Sequence, residues 1–471
     1  MTNDEKKTIS LEDIGKKDIK CEDRKDCEGC TGCDDANNEN GDEEEELKNA
    51  KSDGNLWLIR DLAKELYRVL GEQETDEDRA FTKFFKTKMV KIDSLICHFF
   101  SFQRSQAIFA LNHFIVNNSK IIKITNFDEG ELSPQYEKVK ISRNKTEVLM
   151  TVGYYFIIYK KTKFIIELFF RGNTMINKIW FNKREKNKAH ELDKAFTKFM
   201  RKNNLMKGEK LVLLARGNID FLEYPNLCWN DVILSKLIKE EFDLNILFPL
   251  MNEKKVKSKG IPWRRGLMLG GKAGTGKTQV CRILCNELPK GVTLIWATSK
   301  SLYDTELIQH LFDAARYFSP TLIIIEDIDF IGTSRNFTQN PILGELLTQL
   351  DGNDPNDGIF IIATTNRPEL LDEALANRPS RFDIQVKFEL PAIKERVNLI
   401  KLFTKNMKFS EPLLYMEIAR RIEGLTGAHI KEIFVYCQLK ALKRDGIIST
   451  KDINDRVTYY EKLIRVKQMV I

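Results

Sequence analysis

One short stretch restricts this chain more than any other. GLMLGGKAGTGKTQVCRILCNEL sets Gly271-x4-Gly276-Lys277-Thr278 after an apolar run and before a helical one. Glycines at that spacing let backbone N–H groups turn inward around a phosphate, and the N-terminus of the following helix adds its positive end. Lys277 is then placed to meet the β- and γ-phosphates of a nucleoside triphosphate, and the Thr278 hydroxyl to join a magnesium shell. The loop works only between a strand and a helix of a parallel sheet. The chain supplies the other strands as TLIWAT, TLIIIE and GIFIIATT, continuous apolar runs of the kind covered on both faces.

Acidic and amide groups follow in the order such a loop needs. The run TLIIIE ends in Glu326-Asp327-Ile328-Asp329. A carboxylate at a strand tip holds magnesium through water, and its neighbour orients or deprotonates an attacking water. The run IFIIATTN ends at Asn366, whose amide is suited to holding that water. Arg378 and Arg381 come soon after, in ANRPSRFD. Guanidinium forks match the charge that grows on a transferring phosphoryl group.

Taken together, these residues resemble the AAA ATPases. The loop, the acidic strand end, Asn366 as sensor and TTNRPELLDEALANRPSRFD as the second region of homology stand in family order over about residues 226–450. The resemblance implies ATP and Mg2+ as ligands and hydrolysis to ADP and phosphate. It implies nucleotide contacts from Gly271, Lys272, Ala273, Gly274, Thr275, Gly276, Lys277, Thr278 and Gln279, with Asp231 and Val232 beside the adenine. GLTGAHIKEIF is similar to the family's lid segment, which puts Gly427 and Ala428 near the nucleotide. Catalytic roles fall to Lys277, Glu326, Asp327, Asn366, Arg378 and Arg381, and metal contact to Thr278 and Glu326. The two arginines are implied to act in trans on a neighbour's γ-phosphate, in a homo-oligomeric ring.

GIPWRRG, SLYDTELIQHLF and the order Glu-Asp at 326–327 resemble one branch, the mitochondrial translocase of the Rieske iron–sulfur protein. Most AAA proteins have Asp-Glu there, so by position Glu326 takes the magnesium role and Asp327 the catalytic one. Where that branch has a transmembrane helix, this sequence reads as an acidic, cysteine-bearing tail, so no such helix is expected. The chain departs from the family in Lys272 and Ala273, which stand where a proline is usual. The geometry depends on glycines and N–H groups more than on proline, so the loop is expected to work.

The remaining segments divide into three. Residues 391–471 read as a small helical lid. Residues 55–225 read as an α+β domain: a helix over 57–71, a second from about Arg79 to Phe102, extended segments from IIKITNF to NKIWFNK, a helix over about 189–202, and a closing strand KLVLLAR. Residues 226–390 are then the α/β nucleotide-binding domain. Residues 1–54 lack hydrophobic periodicity and read as a disordered acidic tail, with 8 Lys and Arg against 17 Asp and Glu in the first fifty residues. Cys21, Cys27, Cys30 and Cys33 lie there, spaced C-x5-C-x2-C-x2-C. Four thiolates suit zinc, but this spacing is tighter than two separated pairs, and the plain reading is an unstructured tail. Cys97, Cys228, Cys281, Cys285 and Cys437 sit among apolar neighbours and read as small buried hydrophobes.

The net charge of +7 combines this acidic tail with a basic body; residues 55–225 alone hold 31 Lys and Arg against 20 Asp and Glu. A basic α+β unit admits nucleic acid as a partner, although no recognition motif is visible in it. No apolar run reaches the length needed to cross a bilayer, and no secretion signal opens the chain, so a cytoplasmic setting is expected. The leading expectation is ATP-driven, chaperone-like remodelling, movement or disassembly of a protein client. The alternatives are a nucleic-acid-associated ATPase acting through residues 55–225 and a ring scaffold that uses ATP mainly to assemble. Residues 301–305 are short and lack an aromatic–hydrophobic–glycine pore loop, which favours a folded client over a threaded one.

Overall fold

The computed structural model describes residues 75–127, 133–172, 174–332, 341–351, 356–370, 381–444 and 446–469. The expectations for the acidic tail, its four cysteines and the helix at 57–71 concern residues outside those described. The chain divides into two units, residues 1–205 and 206–471.

The first unit is built on period-two alternation. Its strands are β1 (Ile92–Phe99), β2 (Lys120–Thr125), β3 (Gln135–Ser142), β4 (Lys145–Tyr159), β5 (Thr162–Arg171) and β6 (Thr174–Asn182). They form an antiparallel sheet of order β1-β6-β5-β4-β2, with β3 on the first half of β4. Along β5, Phe164, Ile166 and Leu168 join a core with helices Arg104–Asn118 and Lys186–Lys202. The alternate Ile165 packs with Phe81, Phe156 and Trp180 in a second cluster. Gly153 marks where β4 leaves β3 and takes up β5. Its φ is +141°, and a Cβ there would lie 3.0 Å from the Thr125 carbonyl oxygen, so a side chain has no room. Buried Asn112 donates to the Ile108 and Met150 carbonyls and accepts from the Met150 N–H and the Tyr155 hydroxyl. Replacing it would strand several buried groups, at about 1–3 kcal/mol each.

Two expectations for this unit need correction. The helix expected over 79–102 ends at Phe85, and residues 92–99 are strand β1, paired with β6. Leu95, Cys97 and Phe99 alternate onto the helix-covered face, a spacing that suits a strand edge. The boundary expected at residue 225 falls instead at 205. Strand β7 (Lys210–Leu213) pairs in parallel with β10 (Thr293–Thr298) and so belongs to the second unit. Its apolar content marks it as a strand but does not say which sheet it joins.

The second unit's sheet continues with β8 (Ile219–Phe221), β9 (Arg265–Gly270), β11 (Thr321–Glu326), β12 (Ile359–Thr365) and β13 (Ile384–Lys387). Its order is β13-β9-β12-β11-β10-β7-β8, parallel throughout except for the β7–β8 hairpin. The central strands are buried on both faces, which explains their uninterrupted apolar sequences. Strands β9, β12 and β11 are adjacent, so their carboxyl ends open on one crevice, where open α/β sheets hold ligands. Helices Ile393–Thr404, Tyr415–Arg421, Gly427–Leu442 and Thr450–Met469 form the lid around Ile400, Ile430, Phe434 and Val457. Among the described residues, no helix is long and apolar enough to cross a membrane.

Candidate nucleotide-binding site

Strand β9 delivers the glycine-rich loop, and close approach dictates its glycines. A Cβ on Gly271 would lie 2.2 Å from the Phe388 carbonyl oxygen, which rules out any side chain there. Gly274 has φ +81° and sits against the lid, where a Cβ would meet the Ala428 Cβ at 2.7 Å and the Thr426 hydroxyl at 2.8 Å. The Ala428 N–H donates to the Gly274 carbonyl at 3.2 Å, so Gly427 and Ala428 do open a lid helix against the loop. Gly276, at φ +110°, is the N-cap of helix Lys277–Glu287 and offers no capping side chain. The helix N-terminus therefore faces the crevice without a side-chain acceptor, as an anion site requires. Lys272, Ala273, Gly274 and Gln279 are exposed, and Thr275 is half-buried.

Lys277 is buried at 6% exposure. Its ammonium donates to the Gly271 and Lys272 carbonyls and to Asn366 Oδ1 at 2.9 Å. Burial pulls its pKa below the usual lysine value, while Asp327 and Asp329 push it back up. Asn366 Nδ2 donates in turn to Asp327 Oδ1 at 2.9 Å, which links the three strand ends in one chain of hydrogen bonds.

The two carboxylates sit differently. Glu326 Oε1 accepts from the Thr278 hydroxyl at 2.7 Å, and Oε2 from the Trp296 indole at 3.1 Å. Asp327 adopts a left-handed φ of 54° that turns it out of the strand. That turn is held by Thr364, whose hydroxyl accepts from the Asp327 N–H at 3.1 Å and whose carbonyl accepts from the Ile328 N–H at 2.9 Å. Burial raises the Asp327 pKa above the usual carboxylate value. The nearby Asp329 and Glu326 charges add to the rise, and Lys277 and Asn366 oppose it. No local motif in the sequence marks Thr364, Asp329 or Trp296 as site residues. Only the Asp-Ile-Asp spacing hinted at Asp329.

Thr278 and Glu326 offer an all-oxygen pair beside the loop. Mg2+ takes few protein ligands and completes its shell with phosphate oxygens and water, so the donor set fits it. Among the described residues, no group of three or more His, Cys, Asp or Glu could hold a metal by itself.

The remaining expected residues fall as follows. Asp231 ends a short 3-10 turn, Trp229–Asp231, and is exposed; its carboxylate accepts from the Cys228 N–H, which holds its pKa below the ordinary value. Val232 is half-buried. Beyond it, Ile233 packs on the lid core and Leu234 on the α/β core, so this segment runs across the crevice near the loop. Cys228 is exposed rather than buried, because it lies on this surface turn. Cys97 is only half-buried, on strand β1, and donates to Asp193; Cys281, Cys285 and Cys437 are buried as expected. Burial pushes the Cys285 thiol up to about 12. Arg378 lies outside the described residues. Arg381 is buried, and its guanidinium is held by Asp351 of the same chain. Trp263, from GIPWRRG, fills the core beneath the sheet and donates to the Pro249 carbonyl.

Residues 267–390 match the model of the ATPase family associated with various cellular activities (AAA). This segment is an AAA domain of P-loop α/β fold. Among curated relatives, an ATP-dependent zinc metalloprotease FtsH of Metamycoplasma arthritidis is 31% identical over 240 residues, 48% of this chain and 32% of the relative. An FtsH of Mycoplasmopsis pulmonis is 34% identical over 215 residues, 43% of this chain and 30% of the relative. A proteasome-activating nucleotidase of Methanopyrus kandleri is 32% identical over 244 residues, 49% of this chain and 55% of the relative. The chain thus spans between about a third and about half of the length of these relatives.

Proposed function

We infer that this chain is an ATPase that converts ATP and water to ADP and phosphate and uses the cycle to remodel, move or disassemble a protein client. The observation that carries the reading is the convergence of three strand ends: Lys277, the Thr278–Glu326 pair at 2.7 Å, and Asn366 bonded to Asp327. ATP would lie with its β-phosphate in the loop and its γ-phosphate toward Lys277. Mg2+, held from Thr278 and Glu326, supplies charge neutralisation on the phosphate oxygens. Asn366 orients the attacking water, and Asp327 takes its proton. A carboxylate whose pKa is raised by burial and by Asp329 and Glu326 is a better proton acceptor than a free aspartate. Adenine is assigned to the Asp231–Val232 segment, under the lid that also brings Gly427 and Ala428 to the loop.

Arginines from a neighbouring subunit complete the proposed site, which makes the working form a ring. Arg378 is the leading candidate, since Arg381 is already engaged by Asp351. The three segments GIPWRRG, SLYDTELIQHLF and Glu326-Asp327 support assignment to the Rieske-protein translocase-like branch, and the short residue 301–305 segment, without a pore-loop motif, supports a folded client. The FtsH and proteasome-activating relatives support protein remodelling in a general sense.

The test is nucleotide binding and phosphate release by purified full-length protein. Wild type should bind a fluorescent ATP analogue and release phosphate in Mg2+, and Lys277→Ala should abolish binding. Unchanged affinity in Lys277→Ala would contradict the site.

A further inference from the structure

Glu326 is held at both oxygens, and the two holders differ in kind. Thr278, beside Oε1, belongs to the site just described. Trp296, on Oε2, lies in β10 at 7% exposure and belongs to the same buried core cluster as Val280, Cys281 and Leu284 of the helix that follows the loop. Register explains the reach. In the parallel β10–β11 pair, Trp296 is opposite Ile324 and Thr298 is opposite Glu326. Trp296 and Glu326 therefore project to the same face, one diagonal step apart, within range of a long indole but not of a short side chain.

We propose that Trp296 is a positioning residue for the metal-side carboxylate: its indole N–H fixes Glu326 so that Oε1 stays turned toward Thr278 and the cation. This rests on the ATP-site reading above. The chemistry of the donor carries the argument. An indole is a donor only and is neutral, so it orients the carboxylate without cancelling the charge that a divalent cation needs. An ammonium or guanidinium in the same place would neutralise the carboxylate and compete with the metal. A side chain that merely filled this core position would need no N–H. Outer partners of this type set the orientation of metal-facing groups, and their loss commonly weakens metal affinity by about 10–100-fold.

Trp296→Phe keeps the apolar bulk and removes the N–H. The experiment titrates Mg2+ at a fixed concentration of fluorescent ATP analogue with full-length protein, and repeats nucleotide binding in EDTA. Trp296→Phe should raise the half-saturating Mg2+ about tenfold, the low end of that range. It should leave affinity in EDTA unchanged. In a Glu326→Gln background the same substitution should add nothing, because the group it orients is gone. If the Phe variant does not fold, Trp296→Met is read in the same way. An unchanged Mg2+ requirement, or equal loss with and without Mg2+, would mean that Trp296 only packs, and the proposal falls. Wild type that binds no nucleotide in either condition would overturn the ATP-site reading itself.

Discussion

Arg381 and Asp351 form a two-pronged ion pair inside the second unit: Nε to Oδ1 at 2.8 Å and Nη2 to Oδ2 at 2.7 Å. The arginine is 6% exposed, and the aspartate, at the end of helix Pro341–Asp351, is 37% exposed. A guanidinium so held is an anchor for the segment that leads into β13, where the Arg381 carbonyl also lies against Gly266.

This pairing separates the two arginines experimentally. Arg381→Ala should destabilise the unit by roughly 2 kcal/mol in chemical denaturation, less than a fully buried pair because Asp351 keeps access to water. If Arg378 acts only on a neighbour's nucleotide, Arg378→Ala should cut turnover by on the order of 10³-fold while sparing ATP affinity and chain stability. Mixing Arg378→Ala subunits with Lys277→Ala subunits should restore activity that neither shows alone, once co-assembly is verified. Dead mixed rings would contradict a shared site.

The elevated Asp327 pKa predicts where activity fails in acid. Catalysis needs the carboxylate ionised, so kcat/KM should fall as pH drops through a value above the ordinary aspartate range. The like charge of Asp329 contributes to the rise. Asp329→Asn should therefore lower the Asp327 pKa and move the acid limb of the kcat/KM profile to lower pH. A limb that stays in place or moves up would remove Asp329 from this role.

Gly274 ties the loop to the lid, and a methyl group there has no free space. Gly274→Ala imposes both a left-handed backbone conformation on alanine and a clash with Ala428 and Thr426. Strain of this kind costs about 1–3 kcal/mol. Relief requires the lid to shift, so nucleotide affinity should drop by roughly 5–150-fold, the same energy read as binding. Isothermal titration with an ATP analogue checks this, and wild-type affinity would show that the loop and lid are not rigidly matched.

The loop, the acidic strand end and Asn366 were legible because each is a local signature: a few residues whose spacing alone carries the chemistry. The buried parallel strands were legible from their unbroken apolar runs. What escaped was set by partners distant in sequence. Strand β1 is not legible as a strand, because its alternation is brief and only pairing with β6, about 80 residues away, fixes it. Helix Arg104–Asn118 has apolar residues around much of its circumference. Its inward Gln106 and Asn112 look like surface residues until they meet the Met200 and Met150 backbones. The unit to which β7 belongs is hidden for the same reason, since its pairing with β10 is set about 80 residues away. Within the site, Trp296–Glu326 spans 30 residues and Thr364 acts on Asp327 from 37 residues away; outside it, Arg381–Asp351 also spans 30. No motif encodes contacts between residues so far apart in sequence.

The central claim, that Glu326 serves the metal and Asp327 the water, is tested most directly by one paired measurement. Mg2+-dependent ATP binding and phosphate release are followed side by side in Asp327→Asn and Glu326→Gln. Asp327→Asn should bind Mg2+ and ATP as wild type does yet release no phosphate, because an amide cannot accept the proton of the attacking water. Glu326→Gln should weaken nucleotide binding in Mg2+ and raise the Mg2+ requirement. If Asp327→Asn weakens Mg2+ binding while Glu326→Gln leaves it untouched, the two roles are reversed and the account is wrong.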